Sequence, residues 1–112
     1  KKCIEINNLY LKNLKNKKIE IISKNYSSGE FPLYVQALAD NKKKFIDYMK
    51  KYKIQIRPLP PSISTAKYLY KKKDRSLFKN SNNFFKKGVY LPCGPSQEIS
   101  DIKKVISIIN KY

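Results

Sequence analysis

The side chains able to do chemistry are few in kind and uneven in number. Histidine is absent from all 112 residues, which removes the commonest metal ligand and general base together. The two cysteines, Cys3 and Cys93, stand too far apart for a zinc knuckle or a Cys-x-x-Cys redox pair. They read as buried or half-buried thiols of a reducing cytoplasm. Neither a metal site nor a hydrolase triad built within this chain is therefore expected. Lysine and arginine together number 25 against 8 acids, a net charge of +17. Only Arg57 and Arg75 are arginine. Arg57 is the residue of interest, because it ends an apolar β-branched run and meets the rigid Pro58-Leu59-Pro60-Pro61. A guanidinium at a strand end can hold a diphosphate or a carboxylate with two parallel hydrogen bonds. Tyr68 and Tyr70, further along the same loop, offer aromatic faces to a base or a sugar.

The charge alone carries the footprint of a nucleic-acid binder, with Tyr48, Tyr52, Tyr68 and Tyr70 interleaved among lysines as stacking platforms. Two observations oppose that reading. Arginine, the guanidinium that reads base edges and phosphates in pairs of bonds, is scarce. Lysine, asparagine, isoleucine and tyrosine are all abundant, as AT-rich codons produce, and nucleic-acid binding accounts for the lysines only. The aromatic-rich strands of an RNA-recognition domain and the glycine loop of a KH domain are missing too.

The elements that position Arg57 follow from periodicity. Residues 1–17 read as an amphipathic helix with Ile6, Leu9, Tyr10 and Leu14 on one side. Ile19 to Ser23 reads as a short strand, Tyr26 to Glu30 as a turn, and Phe31 to Leu38 as a second strand with Pro32 near its start. Asp40 or Asn41 caps a helix from Lys42 to Lys53, striped by Phe45, Tyr48, Met49 and Tyr52. Ile54 to Arg57 follows as a strand, completing a strand–helix–strand unit that the prolines stop. Residues 60–80 read as a long loop, in which Lys71-Lys72-Lys73 is a solvated charge run. A short helix from Asn80 to Lys87 ends at Gly88, expected in a left-handed cap, and Val89 to Leu91 forms a buried strand closed by Pro92. Ser96 to Asp101 opens a last helix carrying Ile99, Ile102, Val105, Ile106 and Ile109 toward the core. Together these predict one α/β domain over residues 1–112, a two-layer arrangement of three or four short strands covered on one face by helices. The hydrophobic fraction of 41% is that of a globular protein, and no apolar run approaches the roughly 20 residues that span a bilayer. The basic N-terminus lacks the apolar stretch of a signal peptide, and the missing initiator Met suggests a chain cut from a longer one.

Four segments, in order, give this pattern a likeness. Ile6-Asn7-Asn8-Leu9-Tyr10 followed by Leu14, then NKKKFIDYMKKYKIQIR from Asn41 to Arg57, then Arg57-Pro58-Leu59, and finally FKNSNNFFKKGVYLPCGP with DIKKVISII resemble the C-terminal domain of the DegT/StrS-type sugar aminotransferases. Lys53 stands where that family usually has Gly, Glu98 where Thr or Ser often caps the last helix, and the loop after Arg57 lacks the His often found there, with Ser62-Ile63-Ser64 nearby. The resemblance implies the C-terminal small domain of a pyridoxal-phosphate (PLP) enzyme of the cytoplasm, with the large cofactor-binding domain absent from this chain. By the same resemblance, the parent passes an amino group from glutamate to a nucleotide-linked keto-sugar for surface polysaccharide or other amino sugars. It would act as a homodimer, away from membranes and nucleic acid. The small domain would close over the active site with Arg57, Pro58 and Tyr68 on the substrate side, carry no catalytic residue, and be inactive alone. Transamination needs a lysine in a desolvated or cation-flanked pocket, and no lysine in the sequence is marked as such. Two other readings stay open: the basic nucleic-acid-binding module, and a non-catalytic assembly or regulatory relative.

Overall fold

A computed structural model of the chain describes residues 1–22, 32–66 and 78–112. Within them the order is α1 (Lys2–Asn13), β1 (Ile19–Ile21), β2 (Val35–Ala39), α2 (Lys42–Lys51), β3 (Arg57–Pro58), a 3₁₀ turn (Ile63–Thr65), α3 (Lys79–Lys87), β4 (Gly88–Leu91) and α4 (Ile99–Asn110). The expected turn at 26–30 and charge run at 71–73 lie outside the described residues.

The four strands form one sheet in the order β1-β2-β4-β3, every neighbouring pair antiparallel. Strands β2 and β3 thus run parallel to each other with β4 inserted between them. The strand–helix–strand unit read from the sequence is split by the strand that arrives last. Because side chains alternate across a strand, the register sorts them cleanly. Ile19, Val35, Ala37, Ala39, Val89 and Leu91 share one face, and Glu20, Gln36, Leu38, Gly88, Tyr90 and Arg57 share the other. The first face is covered by Ile6 and Tyr10 of α1, Phe45 and Met49 of α2, and Ile102, Val105, Ile106 and Ile109 of α4, making one buried cluster. That is the two-layer α/β arrangement the periodicities predict, with four strands.

Element ends depart from the sequence reading for local reasons. Helix α1 stops at Asn13, not residue 17, because asparagines draw the backbone toward α4. Asn110 accepts from Lys15 N at 2.8 Å and donates to Asn13 O at 3.0 Å, while Asn16 donates to Ile109 O at 2.8 Å. Asn41, not Asp40, caps α2, accepting from Lys44 N at 3.0 Å. The helix ends two residues early in a six-to-one and five-to-two pair of bonds, Ile54 N to Met49 O at 3.1 Å and Lys53 N to Lys50 O at 2.9 Å. That closure needs a left-handed residue, and Lys53 supplies it at φ 59°. Gly88, by contrast, is extended at φ −71° and ψ 135°, so the left-handed cap expected there does not form. Glycine is required at 88 by crowding: a Cβ would stand 2.3 Å from Phe84 O and 2.9 Å from Leu59 Cδ1. Glu98 occupies the N-cap of α4 without a side-chain bond, and Asp101 in the first turn answers the helix dipole instead. Among the described residues no helix is long and apolar enough to cross a membrane.

Candidate functional site

The site begins with Pro92. A proline has no N–H to give to a ladder, so β4 stops pairing after Leu91 on both sides. On one side β2 starts only at Val35, four residues later than expected from Phe31 onward, and Val35 N–H turns to Cys93 Sγ at 3.3 Å. On the other side only Arg57 of the expected strand Ile54–Arg57 finds a partner, Tyr90, and Pro58, expected to stop the strand, pairs with Val89 instead. Leu59 N then reaches Gly88 O at 3.0 Å and closes the pairing. Residues 53–56 and 92–97 therefore diverge, and between them opens a cleft of about 690 Å³.

Arg57 and Pro58 both line this cleft and both are exposed, with Pro60 beside them. Tyr68, the third residue assigned to the substrate side, lies outside the described residues, as does Tyr70. The Arg57 guanidinium forms no ion pair with any carboxylate among the described residues. Cross-strand from Arg57, and on the same face, is Tyr90. Its ring packs against Tyr34, centroids 4.8 Å apart and planes inclined by 45°. Tyr34 remains 56% exposed. Sequence reasoning placed Tyr34 in a strand without assigning it to the site. The signal was parity: counted from the buried Val35 and Ala37, Tyr34 belongs with Gln36 and hence with Tyr90 across the sheet.

The cleft's remaining wall is a tight turn in which Gln97 Oε1 accepts from Gly94 N and Gln97 N donates to Gly94 O, each at 3.0 Å. Cys93, at its base, is half-buried, and burial pushes its thiol up from the ordinary range although the Val35 N–H acts in the opposite sense. A thiol held protonated is a packing group, not a nucleophile. Ser62, in the loop after β3, is buried with its hydroxyl 2.6 Å from that of Ser81 on α3. The tyrosines offered to a stacked base on α2 are turned on one another: Tyr48 lies 5.2 Å from Tyr52 and 5.0 Å from Tyr112, and donates to Ile108 O at 3.2 Å.

The described residues do not fit a PLP centre. None of their lysines is buried and all of their carboxylates are exposed, whereas an imine-forming lysine and a pyridinium partner both need enclosure. No group of three or more His, Cys, Asp or Glu among them could hold a metal ion.

The described residues thus form a two-layer α/β arrangement with a cleft at one edge of the sheet. The chain belongs to the DegT/DnrJ/EryC1/StrS aminotransferase family, whose model matches residues 1–110. Solved structures agree in fold. DesV of S. venezuelae, in complex with a ketimine intermediate, is 17% identical with a TM-score of 0.76, over 98% of this chain and 30% of its own. A Streptococcus pneumoniae protein named as a sugar aminotransferase, in its PMP form, is 12% identical with a TM-score of 0.79, over 98% and 29%. The aminotransferase TlmJ of Streptoalloteichus hindustanus is 9% identical with a TM-score of 0.78, over 98% and 30%. The chain thus spans about 30% of the length of these structures. A search of curated proteins gave no match.

Proposed function

We propose that this chain is the C-terminal small domain of a longer PLP-dependent aminotransferase, and that it forms the substrate-side wall of that enzyme's active site. The observation that carries the reading is the family match along residues 1–110 in a chain about 30% as long as the solved relatives. The lack of any enclosed lysine or carboxylate among the described residues supports the same division of labour: the cofactor's electron-sink chemistry belongs to the rest of the enzyme. In this reading the parent transfers an amino group from glutamate to a nucleotide-linked keto-sugar, in the cytoplasm and as a homodimer, toward surface polysaccharide or other amino sugars. Arg57, Pro58 and Tyr68 face the substrate. Arg57 contributes a fixed positive charge, and the prolines hold its loop in place with little conformational freedom to lose.

The test is the visible absorbance of the longer protein with PLP, recorded before and after glutamate is added. A yellow protein whose band is lost on adding glutamate supports the reading. A protein that stays colourless with added PLP overturns it and brings the assembly or regulatory relative forward. The 112-residue chain alone is expected to take up neither PLP nor a sugar nucleotide measurably, and saturable PLP binding by it counts against the proposal.

A further inference from the structure

We infer that Cys3 and Cys93 form a reversible disulfide that staples the first turn of α1 to the chain just past β4 under oxidising conditions. Their distance in sequence excludes a Cys-x-x-Cys pair, but the fold turns the two thiols toward one junction. On α1, Cys3, Ile6, Asn7 and Tyr10 fall on one stripe of the helix, and the last three are at most 2% exposed. Past β4, Cys93 continues the parity of Val89 and Leu91 and packs against the helix-side cluster. Tyr10 joins the two segments, its hydroxyl donating to the carbonyl of Pro92, the residue before Cys93, at 2.8 Å. A helical tyrosine leans toward the N-terminus of its own helix, so this bond draws Pro92 over the turn that follows Cys3. Cys3 also stands near enough to add to the upward push on the Cys93 thiol, after burial and against the Val35 N–H. Both thiols are half-buried and unbridged.

Helix α1 is tied unequally at its two ends, which leaves the first turn free to adjust. The asparagine bonds hold its C-terminal side to α4. At the other end Lys1 makes no side-chain cap. One turn further in, Asn7 Nδ2 is the one buried side-chain nitrogen or oxygen without a partner among the described residues. A small shift of this turn toward Cys93 therefore breaks no side-chain hydrogen bond of Asn7. The oxidant is a low-molecular-weight disulfide such as oxidised glutathione. Because Cys93 is held protonated, the Cys3 sulfur starts, attacking one glutathione sulfur to give a mixed disulfide and release one glutathione thiol. Cys93 then loses its proton and displaces the second glutathione. The two cysteines give up two electrons and two protons, and the oxidised glutathione takes them up as two thiols. The closed loop encloses β1, β2, α2, β3, α3 and β4, so the bond restricts the unfolded chain and keeps α1 on the sheet.

The experiment treats the folded longer protein with oxidised glutathione, alkylates the remaining thiols, digests without reduction and maps the linked peptides by mass spectrometry. It needs nothing from the aminotransferase reading, since no step depends on PLP or on activity. A peptide pair joined through Cys3 and Cys93 is expected, formed at the same yield when the protein is diluted and lost on adding dithiothreitol. The oxidised protein is expected to melt several degrees above the reduced one. Cys3→Ser is expected to remove both the link and the shift while leaving the reduced midpoint nearly unchanged. Cys93→Ser is expected to stop at the mixed disulfide, with glutathione retained on Cys3. Should that variant fold poorly, the peptide map of the unsubstituted protein decides. Glutathione on each cysteine with no link between them, a link joining two copies of the chain, or a link that leaves the midpoint unmoved overturns the inference.

Discussion

The two faces of the sheet are made by alternate residues of the same strands, yet they differ in almost every physical respect. Toward the helices stand Ile19, Val35, Ala37, Ala39, Val89 and Leu91, none more than 2% exposed. All six are apolar, and apart from Leu91 they are small or β-branched, which lets α1, α2 and α4 close down on the sheet. Away from the helices stand Glu20, Gln36, Tyr90 and Arg57, which are polar or amphipathic and partly wet. The comparison shows how a period of two separates stability from recognition. One face can be held constant for folding while the other changes its chemistry, and a substitution's parity predicts which property it disturbs.

The sharpest test of that separation is Phe45→Ala. Phe45 is fully buried against the helix side, so its loss is expected to cost about 3–5 kcal/mol in urea unfolding of the longer protein. Gly88→Ala tests the exception, because position 88 lies on the open face and yet has no room for a methyl group. It is expected to cost about 2 kcal/mol, and a neutral result would mean that α3 and Leu59 can give way. Tyr10 adds a pH dependence on the helix side. Its buried hydroxyl, which donates to Pro92 O at 2.8 Å, is pushed well above the ordinary tyrosine range by burial first and by nearby Cys93 second. A folded-state value above the unfolded one means that stability is whole below pH about 10 and falls as pH rises past it, by about 1.4 kcal/mol per unit. Tyr10→Phe is expected to lower stability by about 1 kcal/mol at pH 7 and to remove that alkaline component, as measured by denaturation at matched pH against the unsubstituted protein. The smallest effect is a gain away from both faces: Lys53→Gly relieves a left-handed lysine at the end of α2. The relief, less the added freedom of the unfolded chain, comes to about 0.5–1 kcal/mol, read as a rise in midpoint denaturant.

Most of the fold was legible because it rests on local periodicity. The α4 stripe, the Phe45–Met49 stripe and the buried Val89 and Leu91 all stand where the spacing put them. What could not be read depended on partners distant in sequence. The short β3 and the late start of β2 come from Pro92, a residue in neither strand. The early end of α1 comes from Asn110, at the other end of the chain. Gly88 was expected to need an unusual φ, but the need is steric and comes from Leu59 and the preceding helix. At the cleft, the place of Arg57 was visible as a charge at a strand end, whereas that of Tyr34 required knowing that β2 and β4 are neighbours.

The asparagine bonds between the α1–β1 connection and the end of α4 join residues 93 to 97 positions apart. Within this domain α1 precedes the elements that cover it, so Ile6 and Tyr10 on its apolar side are not fully buried until α4 has been made. Its partner is the last helix of the chain. Long-range closure of this kind slows folding and leaves an adhesive helix waiting while the strands and α2 are still being added. During synthesis this makes α1, whose Ile6 and Tyr10 wait longest for their cover, the segment of the domain most in need of a chaperone's shelter.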